Sequence, residues 1–308
     1  MALIPHTDLD VFGLNLGGNV FGWTASRAES FAVLDAYAAA GGNFLDTADV
    51  YMSRAPGNQG GESETIIGEW LAARGRPEGL VIATKVGKLE GFKDLRPETI
   101  RAAAESSLQR LGVETIDLYY AHFDDQDTPL AETLGGFAEL IEAGKVRYIA
   151  ASNYSGARLA EALEVAEREG LPRYAALQPH YNLMERAFET DQRPVCEREN
   201  LPVFPFYALA KGFLTGKYRP GGDAIDSPRA AGAAEYLDER GKRMLSALDE
   251  IAATHGVAPA SVAVAWLREQ PTVLAPIASA RSVDQLGPLL DSVRLQLGAD
   301  ELGRLTAI

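Results

Sequence analysis

Four side chains able to move a proton or hold a charge stand out in the first half of the 308-residue chain: Asp46, Tyr51, Lys85 and His122. A phenol has an unperturbed pKa of about 10, too high for efficient proton exchange at neutral pH. An adjacent ammonium favours the phenolate and lowers that value, and a carboxylate on the far side holds the ammonium charged and in place. Asp46, Lys85 and Tyr51 therefore read as a tuned acid/base, suited to giving a proton to an oxygen as negative charge develops on it. A neutral His122 adds a second hydrogen bond to the same oxygen. The set suits carbonyl reduction, provided something else supplies the hydride. Other chemistries lack their parts. The single cysteine, Cys196, excludes an intrachain disulfide, four scattered histidines leave little for a metal site, and no Gly-x-Ser-x-Gly elbow occurs.

These residues sit at the ends of short apolar runs. The runs of strand type are Val11–Gly17, Asn43–Asp46, Leu80–Lys85, Ile116–His122, Arg147–Ser152, Ala175–Gln178, Pro202–Phe206 and Val273–Ile277. Helical periods fill the gaps, over Ser30–Ala40, Ser63–Ala73, Pro97–Leu111, Leu130–Ala143, Gly156–Glu169 and Val283–Asp291. Pro97 and Pro129 stand where first turns begin, and Gly41, Gly75, Gly112, Gly144 and Gly170 follow last turns. Alternating strand and helix implies parallel strands, and eight short strands match an α/β fold of the (β/α)8 TIM-barrel type. The expectation is one domain over residues 1–308. The long gap between Phe206 and Val273 predicts an excursion (216–234) and two extra helices after the seventh strand, near 236–255 and 259–270. An open doubly wound sheet is the competitor. Its Gly-x-Gly-x-x-Gly fingerprint is absent, since the first strand runs into Gly17-Gly18-Asn19-Val20-Phe21-Gly22, and Gly212–Lys217 is one residue short of a P-loop.

In a barrel all carboxyl strand ends face one rim. Asp46, Lys85, His122, Ser152, Asn153, Gln178 and Phe206, with Ser279 just past the last strand, would thus converge. Composition sets the outer limits. An apolar share of 46% can bury a sizeable core, and 29 basic against 43 acidic residues give a net charge of −14. That balance argues against nucleic acid or an anionic membrane as partner. No apolar run is long enough to span a bilayer, and the N-terminus lacks the charged start and apolar stretch of a signal peptide. A soluble, cytoplasmic protein acting on a small molecule is expected, and nothing in the sequence marks an oligomeric state.

The segments GGNFLDTADVY (41–51), LVIATKVG (80–87), IDLYYAHFDD (116–125), YIAASNYS (148–155), LQPHYNL (177–183) and LAKGFLTGKYR (209–219) resemble the aldo-keto reductase superfamily over nearly the whole chain. The style is closer to bacterial members and the potassium-channel β-subunit branch than to aldose reductase. The resemblance implies that Tyr51 is the general acid/base, Lys85 its pKa depressor, Asp46 the partner of Lys85, and His122 the group that orients the carbonyl. It also implies NADPH, NADP(H) in either redox state, extended across the barrel mouth without a Rossmann domain. Gly18, Asn19 and Asp46 would lie near the cofactor, with Ser152, Asn153 and Gln178 on the nicotinamide carboxamide and Phe206 stacked on its ring. Backbone from Tyr207 to Gly216, including Leu209, Lys211, Gly212 and Leu214, would cradle the pyrophosphate, with charge from Lys217 or Arg219. Ser279, Arg281 and Gln285 resemble the clamp on the adenosine 2′-phosphate, which favours NADP over NAD. Pro288 and Leu289 stand where the family commonly has a Glu and an Asn on the adenine.

Trp23, in the loop after the first strand, is expected to line a substrate pocket, with Phe123, Asn19 and Met52 behind it. Ser152-Asn153 also reads as a cap for the helix near Gly156. His180 reads as structural, His6 and His255 as surface residues, Trp70 and Trp266 as core, and Cys196 as an inert buried thiol. The expected activity is NADPH-dependent reduction of aldehydes or ketones to alcohols. Two other readings keep the same residues: a lyase using Lys85 as Schiff-base nucleophile, and a regulatory or redox-sensing NADP-binding barrel with very slow turnover.

Overall fold

The computed structural model describes residues 1–219, 221 and 227–308. The strand expected over 11–17 is divided in it. Asp10–Val11 (β2) pairs antiparallel with Ala2–Leu3 (β1), and after the break at Gly13 the chain resumes as Asn15–Gly17 (β3). Ile4, Leu9 and Val11 are buried with Phe44, Val81, Leu118 and Phe204, so this hairpin packs onto the interior of the strand ring.

The remaining strands are Phe44–Asp46 (β4), Val81–Val86 (β5), Ile116–Ala121 (β6), Val146–Ser152 (β7), Leu177–Gln178 (β8) and Ile277–Ala278 (β9). They form one parallel sheet in the order β8-β7-β6-β5-β4-β3-β9. The seventh strand, expected over 202–206, forms no ladder. Single parallel bridges join Val203 to Leu177 and to Val273, and Phe206 to His180. Proline is the cause: Pro179, Pro202, Pro205 and Pro276 have no N–H to give. The carbonyls of Pro202 and Pro205 still accept, from Leu177 and Ile277, so the curled sheet closes across a weakly bonded seam.

Helices follow the strands as crossovers: Arg27–Ala39 (α1), Glu62–Arg74 (α2), Pro97–Leu111 (α3), Leu130–Glu142 (α4) and Gly156–Glu169 (α5). Arg193–Arg198 (α6) follows β8, and Ala230–Ala234 (α7), Glu239–His255 (α8) and Pro259–Arg268 (α9) precede β9. Val283–Arg294 (α10) and Ala299–Thr306 (α11) end the chain. The two extra helices expected after the seventh strand are α8 and α9, while α6, α7 and α11 were not foreseen. Part of the 216–234 excursion (220 and 222–226) lies outside the described residues. Pro97 opens α3 as expected, whereas Pro129 is the residue before α4. The cap of α5 is Ser155, whose side chain accepts from the Arg158 N–H, and Ser152-Asn153 do not cap it. No helix among the described residues is long and apolar enough to cross a membrane.

Tyr37 of α1 fastens the start of the sheet. Its buried hydroxyl lies 2.6 Å from the Leu14 carbonyl and accepts from the Phe44 N–H at 3.2 Å, joining the segments that carry β3 and β4. Removing it strands buried backbone groups. Tyr37→Phe is expected to lower unfolding free energy by about 1–3 kcal/mol with the fold retained. Urea denaturation checks this, and an unchanged midpoint would refute the role.

Candidate active site

Adjacent parallel strands bring the first charges together. Asp46 of β4 stands opposite Ala83 of β5, and Lys85, two residues on, points to the same side of the sheet. The Lys85 Nζ lies 2.7 Å from both Asp46 carboxylate oxygens, from the Thr47 carbonyl and from the Tyr51 hydroxyl. Three ammonium hydrogens meet four oxygens, so one is shared. The Tyr51 O–H donates to Asp46 Oδ2 at 2.7 Å while its oxygen accepts from Lys85. Gln178 Nε2 donates to Asp46 Oδ1 at 2.8 Å. Since β8 and β4 are separated by three strands, that contact exists only because the sheet curls back on itself.

His122, directly after β6, approaches Tyr51 edge-on with ring centroids 6.2 Å apart. Asn153 Nδ2 donates to the His122 carbonyl and to Ser152 Oγ, and Ser152 donates to the Gln178 carbonyl. Asn153 holds φ +59°, a conformation asparagine tolerates better than most residues.

Burial governs the proton affinities. Tyr51 is pushed well above the ordinary phenol value by burial and then by the Asp46 charge. The sequence led to the opposite expectation, a phenol drawn down by Lys85. Asp46 offsets the ammonium and accepts a hydrogen bond from the Tyr51 O–H, so the phenol stays protonated. Lys85 falls below its usual value through burial, against the pull of Asp46. Burial, with the charges of Lys85 and Lys88, drives His122 well below the imidazole value, so it is neutral.

These groups open on a cavity of about 560 Å³, within the size range of small-molecule and cofactor sites. Of the expected residues, Asp46, Tyr51, His122, Asn19, Trp23, Ser152, Asn153, Gln178, Phe206, Tyr207, Leu209, Lys211, Gly212, Lys217, Ser279, Arg281 and Gln285 line it. Five do not. Lys85 is enclosed behind Tyr51, Gly18 is held by backbone bonds to Asp46 and by Ser63, Leu214 is in the core, Gly216 packs against Arg219, and Phe123 turns inward beside Gly87 and the core cluster. Met52 also lies outside the lining, and Arg219 is paired with Asp249. Lys88, Arg229 and the apolar Ala258 and Ala260 line it unforeseen, and Pro288 and Leu289, expected at the adenine position, line it too. A signal for Arg229 was present in the Pro- and Arg-rich excursion, and for Lys88 in its spacing of three from Lys85.

A model of the aldo/keto reductase family matches residues 13–308. The chain belongs to the aldo/keto reductase family. Protein tas of Escherichia coli is 33% identical over 338 residues, covering 99% of this chain and 96% of that protein. Norsolorinic acid reductase stcV of Emericella nidulans is 32% identical, covering 97% and 79%. The uncharacterized oxidoreductase YrpG of Bacillus subtilis is 33% identical, covering 99% and 94%. Family membership makes the protein an oxidoreductase, and aldo/keto reductases generally use NAD(P)H.

The residues present fit such a cofactor. Among the described residues, five cationic side chains line the cavity (Lys88, Lys211, Lys217, Arg229 and Arg281) against two acidic ones, Asp46 and Asp284, although the chain carries −14. Tyr207, Ala210, Lys211, Gly212 and Gly216 all hold positive φ, three of them against the preference of a side chain. Such turns aim backbone N–H groups at anions, and strain of this kind gathers at ligand sites. At the far wall Gly17 lets backbone approach closely, since a Cβ there would stand 2.7 Å from Ser279 Oγ.

Asp49, two residues before Tyr51, is fully buried with neither carboxyl oxygen bonded among the described residues. Burial, and then the neighbouring Glu64 charge, push its pKa up to about 8. The folded chain thus keeps a proton that the unfolded chain releases near 3.8. Stability from this group is complete below that pH and is lost as pH rises through about 8. Asp49→Asn removes the titration. Its Tm should match wild type near pH 4 and exceed it by a few degrees at pH 8; parallel melting curves across that window would refute the assignment.

Proposed function

We propose that the protein is an NADPH-dependent reductase of aldehydes and ketones. The observation that carries this reading is the Tyr51 hydroxyl at the cavity wall, within 2.7 Å of both Asp46 and Lys85 and beside a neutral His122. Bound NADPH would supply the hydride that the carbonyl carbon takes up. The Tyr51 O–H donates to Asp46 until a carbonyl oxygen arrives as the better placed acceptor. As that oxygen gains charge it takes the proton, and the phenolate left behind is met by the Lys85 ammonium. Asp46, itself held by the Gln178 amide, and the Thr47 carbonyl keep that ammonium in place throughout. His122 donates a second hydrogen bond. Its Nδ1 is buried with no partner among the described residues, so the tautomer with the proton on Nε2 strands no donor.

Ser152, Asn153 and Gln178, bonded to one another, would present a fixed polar surface to the nicotinamide carboxamide, with Phe206 against the ring. Phe206 is itself backed by His180, stacked at 5.2 Å. The loop from Tyr207 to Gly216 with Lys217 and Arg229 suits the pyrophosphate, and Arg281, whose N–H bonds Gln285, suits a 2′-phosphate. Pro288, Leu289, Ala258 and Ala260 make the adenine end apolar. The lyase reading loses its support, because Lys85 is fully buried and all its hydrogens are engaged.

A panel of aldehydes and ketones followed by NADPH absorbance tests the activity and separates a reductase from a slow NADP-binding protein. Tyr51→Phe should lower turnover by roughly 100-fold or more while NADPH still quenches protein fluorescence; full activity in that variant would overturn the role. Arg281→Ala should weaken NADPH by about tenfold and NADH little. An equal loss for both cofactors would remove the phosphate assignment.

A further inference from the structure

The chain has seven lysines. Five are ion-paired: Lys85 with Asp46, Lys93 with Glu90, Lys145 with Glu105, Lys211 with Glu235 and Lys242 with Glu239. The other two, Lys88 and Lys217, have no acidic partner among the described residues, and both line the cavity. In a chain with 43 acidic residues, lysines left without one are where a mobile anion would be expected to bind.

They serve opposite ends. Lys217 follows the left-handed loop that ends at Gly216, and the Arg229 guanidinium lies 5.8 Å over the Trp23 ring. Lys88 lies two residues beyond β5, the strand carrying Lys85, and its charge acts on His122. Its backbone is pinned on both sides. Gly87, at φ +112°, turns the chain where a Cβ would stand 2.8 Å from Phe123, and the Phe92 N–H bonds the Leu89 carbonyl at 2.8 Å in the turn that follows.

We propose that Lys88 seats a carboxylate on the carbonyl substrate, which makes anionic aldehydes or ketones the preferred substrate class. This rests on the reductase reading of the same cavity. A single ammonium matches one negative charge, and the other cation acting on His122, Lys85, is enclosed with its hydrogens engaged. Lys88 is exposed at the cavity wall; local desolvation and then the Lys85 charge draw it below its usual pKa, and an anion bound there opposes that pull.

The test compares 4-formylbenzoate with its methyl ester, which keeps the ring and aldehyde and removes the charge. Wild type should favour the carboxylate in kcat/KM. Lys88→Met should lower the carboxylate-to-ester ratio about tenfold, chiefly through KM, and Lys88→Glu should invert it. A ratio unchanged in all three proteins overturns the proposal and leaves the reductase reading standing. Calorimetric binding of 4-formylbenzoate to the NADP+-saturated protein reads the same contact without turnover. Lys88-dependent binding with neither aldehyde reduced would sustain the carboxylate seat and sink the reductase reading; equal affinity in wild type and Lys88→Met would sink the seat.

Discussion

A fully buried ammonium constrains everything around it. Taking a charge out of water costs on the order of several kcal/mol per ion, and only close, complementary oxygens offset it. Lys85 has four such oxygens at 2.7 Å, and Asp46 in turn accepts from Lys85, Tyr51 and Gln178. Removal of any one leaves a buried charge undercompensated. The cluster therefore demands a scaffold that holds residues 39 and 132 positions apart within hydrogen-bond reach. Neighbouring parallel strands meet the first demand. Only a closed ring of strands meets the second, which is why a seam weakened by four prolines is still bonded on both sides.

That constraint explains why the site was so legible in the sequence. Apolar strands ending repeatedly in polar residues are a pattern that helices and loops do not impose, and the barrel rule converts it into convergence. The meeting of Asp46, Lys85, His122, Ser152 and Gln178 followed from it, whereas the expectations for residues 207–216, Arg281 and Gln285 came from the family resemblance. The misses have physical causes. A run of apolar residues over 11–17 does not reveal that Gly13 divides it, because hairpin and barrel strand bury side chains with the same alternation. Pro202 and Pro205 spell an interrupted strand, but an interrupted ladder that still accepts hydrogen bonds keeps its place in the ring. The start of α1 was within reach: Ser26 and Glu29 form a reciprocal capping box at the spacing that signals one.

The proton affinity of Tyr51 could not be inferred from residue types. Listing a phenol, an ammonium and a carboxylate leaves open which pair is bonded through which proton. In the folded chain Tyr51 donates to Asp46, and burial of the whole group outweighs the ammonium. The sign of the shift thus depends on a hydrogen-bond direction and on solvent exclusion, both tertiary properties. Its consequence is chemical. A phenol held protonated is ready to donate a proton rather than to accept one.

Charge is distributed with the same economy. A body with a net charge of −14 repels anions at long range, yet among the described residues the cavity gathers five cations against two acids. Exposed charges farther apart than about 8 Å are largely screened at physiological ionic strength. An anion entering the mouth therefore responds mainly to the lining and little to the acidic exterior. Within the lining, a paired cation such as Lys211 is partly neutralised by Glu235, whereas Lys88 and Lys217 have no acidic partner among the described residues. Selectivity for negatively charged ligands can in this way coexist with an acidic surface, because the two act over different distances.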